Sequence, residues 1–364
     1  MGMKARSSGR LRYRLVFIDS HQKRATGMSR IPVFVSLDYH QDSVQVCVEG
    51  RDGAVLSNRR CRNDIAEIVD AAERFGEVVS AAIESCNGAA SLADELVTRA
   101  QWSVHLAHPG FVSRMKQNPD KTDFSDAHLL ADLERVGYLP RVWLAPMEVR
   151  ELRRLVRYRQ QLAEERRNLK LRIRALLRDQ RARCPHARPW TKAWKQWLST
   201  GDHLSPESRW IIERQLQRLD VVVDSIAEVE KHLQEVSAGD SMVQALQADV
   251  GIGPVTAWTI RAEIGRFDRF RTGKQLSRFC GLSPRNASSG NRQADAGLIQ
   301  AGNRQLRATL MEAAHRMVRV HPRWSSFAQK LLDRGKPKCV VVAAVANRWV
   351  RGLFHHMQPD RLAA

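Results

Sequence analysis

The sequence predicts a three-part chain: an α/β layered domain, a middle of long helices, and a mainly helical C-terminal domain. Three observations carry that division. Strand-like and helix-like patterns alternate from Pro32 to about Arg141. Apolar spacing then changes to three- and four-residue steps from about Met147 to Ala238. Beyond residue 241 the chain is again compact, with a tight Gly-Ile-Gly turn ahead of a helix. The expected domains are a basic arm over 1–30, an α/β domain over 31–145, a helical region over 146–240 and a last domain over 241–364.

Within the first domain, VFVSLD and SVQVCVEG are apolar, β-branched runs divided by the polar turn YHQD, which signals a hairpin. A third short strand near AVLS follows the turn RDG. DIAEIVDAAERFG reads as a helix ending at Gly76, EVVSAAIES as a buried strand, AASLADELVTRA as a helix and SVHLAH as a strand. FSDAHLLADLERVG is a helix ending at Gly137. Three antiparallel strands followed by helix, strand, helix, strand and helix is the order of a ribonuclease H-like (RuvC-like) layered fold.

In the middle region, Leu152, Leu155, Leu162, Leu169, Ile173 and Leu176 form one seam, with Arg159 and Arg166 at intervening positions. Ile212, Leu219, Val222, Ile226, Val229, Leu233 and Val236 form another. Their spacing is that of a coiled coil. From Arg150 to Arg183 there are thirteen Lys and Arg against four acids, which suits either a solvated face or a phosphate-tracking one. Trp190, Trp194 and Trp197 share a helical face and read as core, with nucleotide stacking as the alternative. In the last domain, VGIGPVTAWTIRAEIG resembles a helix-hairpin-helix element. There Gly251 and Gly253 either expose backbone N–H groups to a phosphate or serve a helix-to-helix turn.

Lys and Arg number 59 against 39 acids, a formal charge of +20, so a polyanion is the expected partner. The first 30 residues hold eight of those cations and one acid, and are read as a flexible basic arm. Cysteines 47, 61, 86, 184, 280 and 339 show no metal-binding or disulfide spacing, which fits a reducing cytoplasm. No apolar run approaches the length of a membrane span.

Four acids are placed to meet. Asp38 ends the first strand, Glu84 ends the central one, and Asp123 and Asp126 stand three apart at a helix start. Alone, Asp38 is a turn residue and the other two are helix caps. Together in one cleft they need a cation between them. Hard oxygen ligands on a phosphate-processing scaffold favour Mg²⁺, as a pair about 4 Å apart that steadies the entering and departing oxygens at phosphorus.

The loop RNASSGNRQADAG, Arg285 to Gly297, places serines beside a glycine among arginines. A serine hydroxyl that attacks phosphorus stores the phosphodiester energy in a covalent link, and religation then needs no other energy source. Arg285, Arg292 or Arg304 could stabilise charge on the phosphorane. Chemistry alone does not separate Ser288 from Ser289.

The set VSLD, IES and KTDFSDA followed by LLADL resembles the DEDD transposases of the insertion sequence 110 family, the bridge-RNA-guided recombinases. The stretch GIGPVTAWTIRAEIG, then RFRTGKQLSRFCGLSPR, SSG and AGNRQLRATLMEAA, is similar to that family's second catalytic domain. The resemblance spans roughly residues 31 to 355. It implies that Asp38, Glu84, Asp123 and Asp126 bind Mg²⁺, and that Ser289, which precedes Gly290, is the nucleophile. It further implies donor and target DNA selected by a guide RNA, and a homo-oligomer in which the carboxylates of one subunit face the serine of another. That oligomer would be a dimer assembling to a tetramer on DNA, in the cytoplasm at the nucleoid. Two positions depart from the family pattern: His40 stands where the family usually has Lys, and His128 where it commonly has Arg. A hydrolytic junction nuclease with a structural serine, and a non-catalytic nucleic-acid-binding protein, are the alternatives.

Overall fold

The computed structural model describes residues 30–116, 122–184, 188–200, 204–287, 295–299 and 302–358. The basic arm, Ser288, Ser289, Gly290 and Arg292 lie outside the described residues. The chain divides into two compact units, Met1–Leu144 and Ala145–Ala364.

The first unit is built on a six-stranded mixed sheet. β1 (Pro32–Tyr39), β2 (Ser43–Gly50) and β3 (Val55–Arg62) form an antiparallel meander; β4 (Glu77–Glu84) and β5 (Val104–Ala107) add on in parallel, and β6 (Arg141–Val142) closes the edge antiparallel. The order is β3-β2-β1-β4-β5-β6, which is consistent with the ribonuclease H-like expectation. The β1–β2 turn at residues 40–42 closes through a 2.9 Å bond from the His40 backbone N–H to the Ser43 carbonyl. Gly53, with φ +88°, permits the β2–β3 turn. β3 runs well past the expected AVLS segment. Two short elements, β6 and the helix α3 (Pro109–Met115), carry no apolar period and depart from the sequence expectation.

Helices cover both faces, so the central strands are buried on both sides. On one face α1 (Ile65–Glu73) and α2 (Ala89–Glu95) bury Ile68, Ala71, Ala72, Leu92 and Ala93 against Val33, Val35, Leu37, Val44, Val46 and Val48. On the other lies α4 (Asp123–Arg135), whose Ala127 and Ala131 pack on Cys47. Small residues there let the helix sit close to the sheet. Thr122 caps α4 in a reciprocal box with Ser125, which fixes where the helix begins.

The second unit is mainly helical. α5 (Met147–Asp179) and α7 (Pro206–Ser237) pack antiparallel through Leu162, Leu169, Leu219, Val222 and Ile226. Arg159 joins them by donating to Glu230 at 2.6 and 2.8 Å. Of the expected seam, Val236 is 52% exposed. Burial instead steps from Leu233 to Ser237, because the Ser237 hydroxyl accepts from the Trp258 indole at 2.8 Å and so turns that face inward. α6 (Lys192–Thr200) caps the far end of the pair, where Ile173, Leu177, Trp194, Leu198 and Ile212 form a separate core.

The near end merges into the largest core, around Trp258, Phe267, Leu310, Met317 and Trp349. It is assembled from α8 (Ser241–Gln247), α9 (Pro254–Ile264), α10 (Gly273–Phe279), α11 (Arg304–Val320), α12 (Pro322–Leu332) and α13 (Lys338–His356). A two-stranded ribbon of β7 (Pro284–Asn286) and β8 (Asp295–Leu298) interrupts the helices, which sequence periodicity did not signal.

Candidate active site

Strand register decides which side chains meet. Val33, Val35 and Leu37 enter the α1/α2 core, so Ser36 and Asp38 face α4. In β4, Ala81 and Ile83 belong to the α1/α2 core while Ala82 packs beneath α4, which puts Glu84 on the same face as Asp38. Leu37 and Ile83 are partners in the parallel register, so Asp38 and Glu84 sit at neighbouring strand ends. A one-residue slip of either strand would turn its acid away from α4.

α4 brings the other two acids. Asp123 and Asp126 lie in its first turn, where backbone N–H groups favour negative charge. Two hydrogen bonds hold that turn to the sheet: the Ser36 hydroxyl donates to the Ala127 carbonyl, and the Asn58 amide donates to the Phe124 carbonyl at 2.9 Å. Ser36 lies two residues before Asp38, so one short stretch of β1 supplies both an acid and the anchor for its partners.

The tightest grouping is Asp38, His40 and Asp123, whose ligand atoms all lie within 4.8 Å of one another. His40 Nε2 is 3.6 Å from Asp38 Oδ2 and 3.6 Å from Asp123 Oδ2. Burial pushes the Asp38 carboxyl above its ordinary value; His40 pulls it down, and Asp123 and Asp126 push it up. Asp126 is held by Lys116 Nζ at 2.6 Å. Sequence reasoning noted His40 only as a departure and missed Lys116 altogether. His40 had a usable signal, since it follows Asp38 by two positions and so can share its side of the strand end. Lys116 had none: it follows α3, which was not foreseen.

Four carboxylates and an imidazole at neighbouring strand ends and a helix start are a donor set suited to a divalent cation, dominated by hard oxygen. Asp38, Asp123 and His40 are the residues closest together for that role, with Glu84 and Asp126 beside them.

In the second unit, Gly251 has φ +96° in the α8–α9 turn, and a Cβ there would stand 3.0 Å from the Met317 side chain. Its carbonyl accepts from Arg316 at 3.2 Å. Gly253 is the N-cap residue of α9 with an ordinary φ of −90°. The need for glycine is thus met at Gly251 by packing on α11. Arg285, on β7, and Arg304, the first residue of α11, are both exposed. β7 and β8 pair on either side of the segment that contains the two serines.

Two family models match this chain, one over the sheet and on through α5, the other within the second unit. The model described as Transposase IS116/IS110/IS902 family matches residues 243–329, and the DEDD transposase model of the IS110 group matches residues 35–180. A probable family 20 transposase of Pseudomonas aeruginosa is 30% identical over 283 residues, covering 75% of this chain and 82% of that protein. The chain belongs to the IS110 family of transposases. Another member, the transposase for insertion sequence element IS1111A of Coxiella burnetii, is 26% identical over 77% of this chain and 76% of its own length. As an IS110-family transposase the chain is an insertion-sequence, DNA-processing enzyme. The 35–180 match takes in Asp38, Glu84, Asp123 and Asp126, and the 243–329 match takes in Ser289. No helix among the described residues is long and apolar enough to cross a membrane.

Proposed function

We propose that this transposase cuts and rejoins DNA through a covalent phosphoserine intermediate, with the carboxylate cluster and Ser289 acting on one phosphate. The observation that carries the reading is the gathering of Asp38, His40 and Asp123 within 4.8 Å, beside Glu84 and Asp126, at the end of a ribonuclease H-like sheet. Asp38, Glu84, Asp123 and Asp126 hold Mg²⁺, which when bound supplies Lewis acidity and charge neutralisation at phosphorus.

The chain's own groups account for the rest. The Ser289 hydroxyl oxygen attacks phosphorus, forming a Ser–O–P bond as one P–O bond to deoxyribose breaks. The serine proton passes to a base of the cluster, and the departing sugar oxygen takes a proton. Rejoining reverses these steps with the hydroxyl of another strand, so the number of ester bonds is conserved. His40, between two carboxylates, is placed to hold or move that proton. Lys116, 2.6 Å from Asp126, supplies a positive charge beside the acidic cluster. Arg285, Arg292 and Arg304 offset charge on the phosphorane, and Gly251 and Gly253 lie against the DNA backbone.

The α5/α7 pair is read as a dimerising coiled coil between an α/β catalytic domain over 31–145 and a serine-bearing domain over 241–364. A structured RNA selects donor and target DNA, for which the +20 charge provides the electrostatics. Trapping the protein–DNA adduct on a denaturing gel tests the chemistry. Wild-type protein yields an adduct that both Ser289→Ala and Asp123→Ala abolish. Strand cutting that persists in Ser289→Ala but not in Asp123→Ala makes the enzyme a hydrolytic nuclease instead.

A further inference from the structure

The far end of the α5/α7 pair holds a cavity of about 540 Å³, within the roughly 300–1,000 Å³ range of ligand sites. Its walls include Arg174 and Arg178 on α5, Arg183 and Arg188 beyond it, and Trp194 and Trp197 on α6. Among the described residues no carboxylate lines it. All four arginines are exposed, and among the described residues none is paired with an acid. Arg178 is steered by its own helix, its Nε donating to the Arg174 carbonyl at 3.3 Å.

The floor is aromatic. Trp194 is buried and lies 4.8 Å from Trp190 and 6.5 Å from Trp197, centroid to centroid, while Trp197 and Trp190 keep part of their surface open. Lys170 lies 5.0 Å over the Trp190 ring. Packing therefore explains Trp194. It does not explain why four cations, none paired with an acid among the described residues, surround the open edge of the same stripe.

We infer that this cavity binds an unpaired nucleotide of a nucleic-acid strand, its base against Trp197 and its flanking phosphates on Arg174, Arg178, Arg183 and Arg188. The combination selects this ligand class. Bare phosphate has no use for the indole floor, and a neutral aromatic has no use for the four guanidiniums. A paired base offers only its edge, whereas a looped or single-stranded base offers a stacking face. The inference rests on the chain being a nucleic-acid enzyme, but the site is separate from the carboxylate cluster.

Full-length protein is cross-linked to three 5-iodouracil-substituted probes of equal length: an RNA hairpin with an open loop, a DNA hairpin, and a blunt duplex. The cross-linked peptide is then identified by mass spectrometry. Both hairpins are expected to mark the peptide containing Trp194 and Trp197, and the duplex is not. A preference between hairpins assigns the strand as RNA or DNA; equal marking assigns the shared nucleotide chemistry. Trp197→Leu is expected to weaken hairpin binding about tenfold. Arg183→Gln with Arg188→Gln, two exposed changes that leave the core intact, lowers the slope of log affinity against log salt by about 1.4. Cross-links confined to other segments, equal marking by duplex, or an unchanged salt slope in the double variant overturn the inference. Asp123→Asn separates it from the proposed chemistry, because this variant loses strand cutting and keeps the cross-link at Trp197.

Discussion

At Asp38, desolvation and two neighbouring carboxylates act together, so the free carboxyl is held above its ordinary value until a cation compensates. Asp123→Asn removes one source of that repulsion. It is expected to raise stability by about 0.5–1 kcal/mol while abolishing DNA cutting, read by thermal unfolding beside a cleavage assay. A second acid shows the same physics away from the site. Glu49, on β2, is fully buried, and burial first, then Asp132, pushes its carboxyl up to about 7 against the pull of Arg135. His128 and Arg135 approach it only at 3.4 and 3.5 Å. Between the unfolded value near 4.5 and about 7 the folded state holds more protons, so stability falls as pH rises through this window. Glu49→Gln is expected to flatten that dependence and to slow hydrogen exchange along β2 at pH 8, by up to about 2–3 kcal/mol of local stability. Unchanged exchange between pH 5 and 8 in the wild type would remove this account of Glu49. At this scale the acids were legible because chain position alone puts them at strand ends and a helix start. The pairings of Lys116 and Glu49 were not, because each depends on which face of which neighbour lies opposite; for His40 the spacing from Asp38 was legible and the approach to Asp123 was not.

At the scale of elements, α4 is the part that assembles the site. Its alanines set its distance from the sheet, and Ser36 and Asn58 set its axial position. Ala127→Leu overfills that contact. It is expected to cost about 1–3 kcal/mol and to reduce cutting, since Asp123 and Asp126 move with the helix. In the second unit, Arg157 on α5 donates to buried Glu263 on α9 at 2.8 and 3.0 Å, with Arg153 3.8 Å away. Arg157→Ala leaves that carboxylate poorly compensated and is expected to lower stability by about 3 kcal/mol, whereas Arg157→Ala with Glu263→Met recovers most of it. Denaturant melts of the two variants check this. The strand order and long helices were legible because hydrophobic periods of two and about three and a half residues persist over many turns. α3, β6 and the β7/β8 ribbon were missed because elements of two to seven residues do not establish a period.

At the scale of the whole chain, the +20 charge governs association more than fold. Affinity for nucleic acid is expected to fall by roughly 10³-fold or more between 50 and 200 mM salt for about six or more phosphate contacts. A flat response in a filter-binding series would contradict an electrostatic footprint of that size. Both matched regions of the transposase family lie in order along the chain, one over the sheet with its acids and on through α5, the other within the mainly helical unit. That the acids are catalytic depends on their holding a cation together. Mn²⁺ binding followed by electron paramagnetic resonance tests this most directly, with no cognate DNA required. Wild-type protein is predicted to bind Mn²⁺ in competition with Mg²⁺, and Asp38→Asn and Asp123→Asn each to weaken it by tenfold or more while the sheet remains folded. Mn²⁺ affinity that is equal in the wild type and both variants would contradict it.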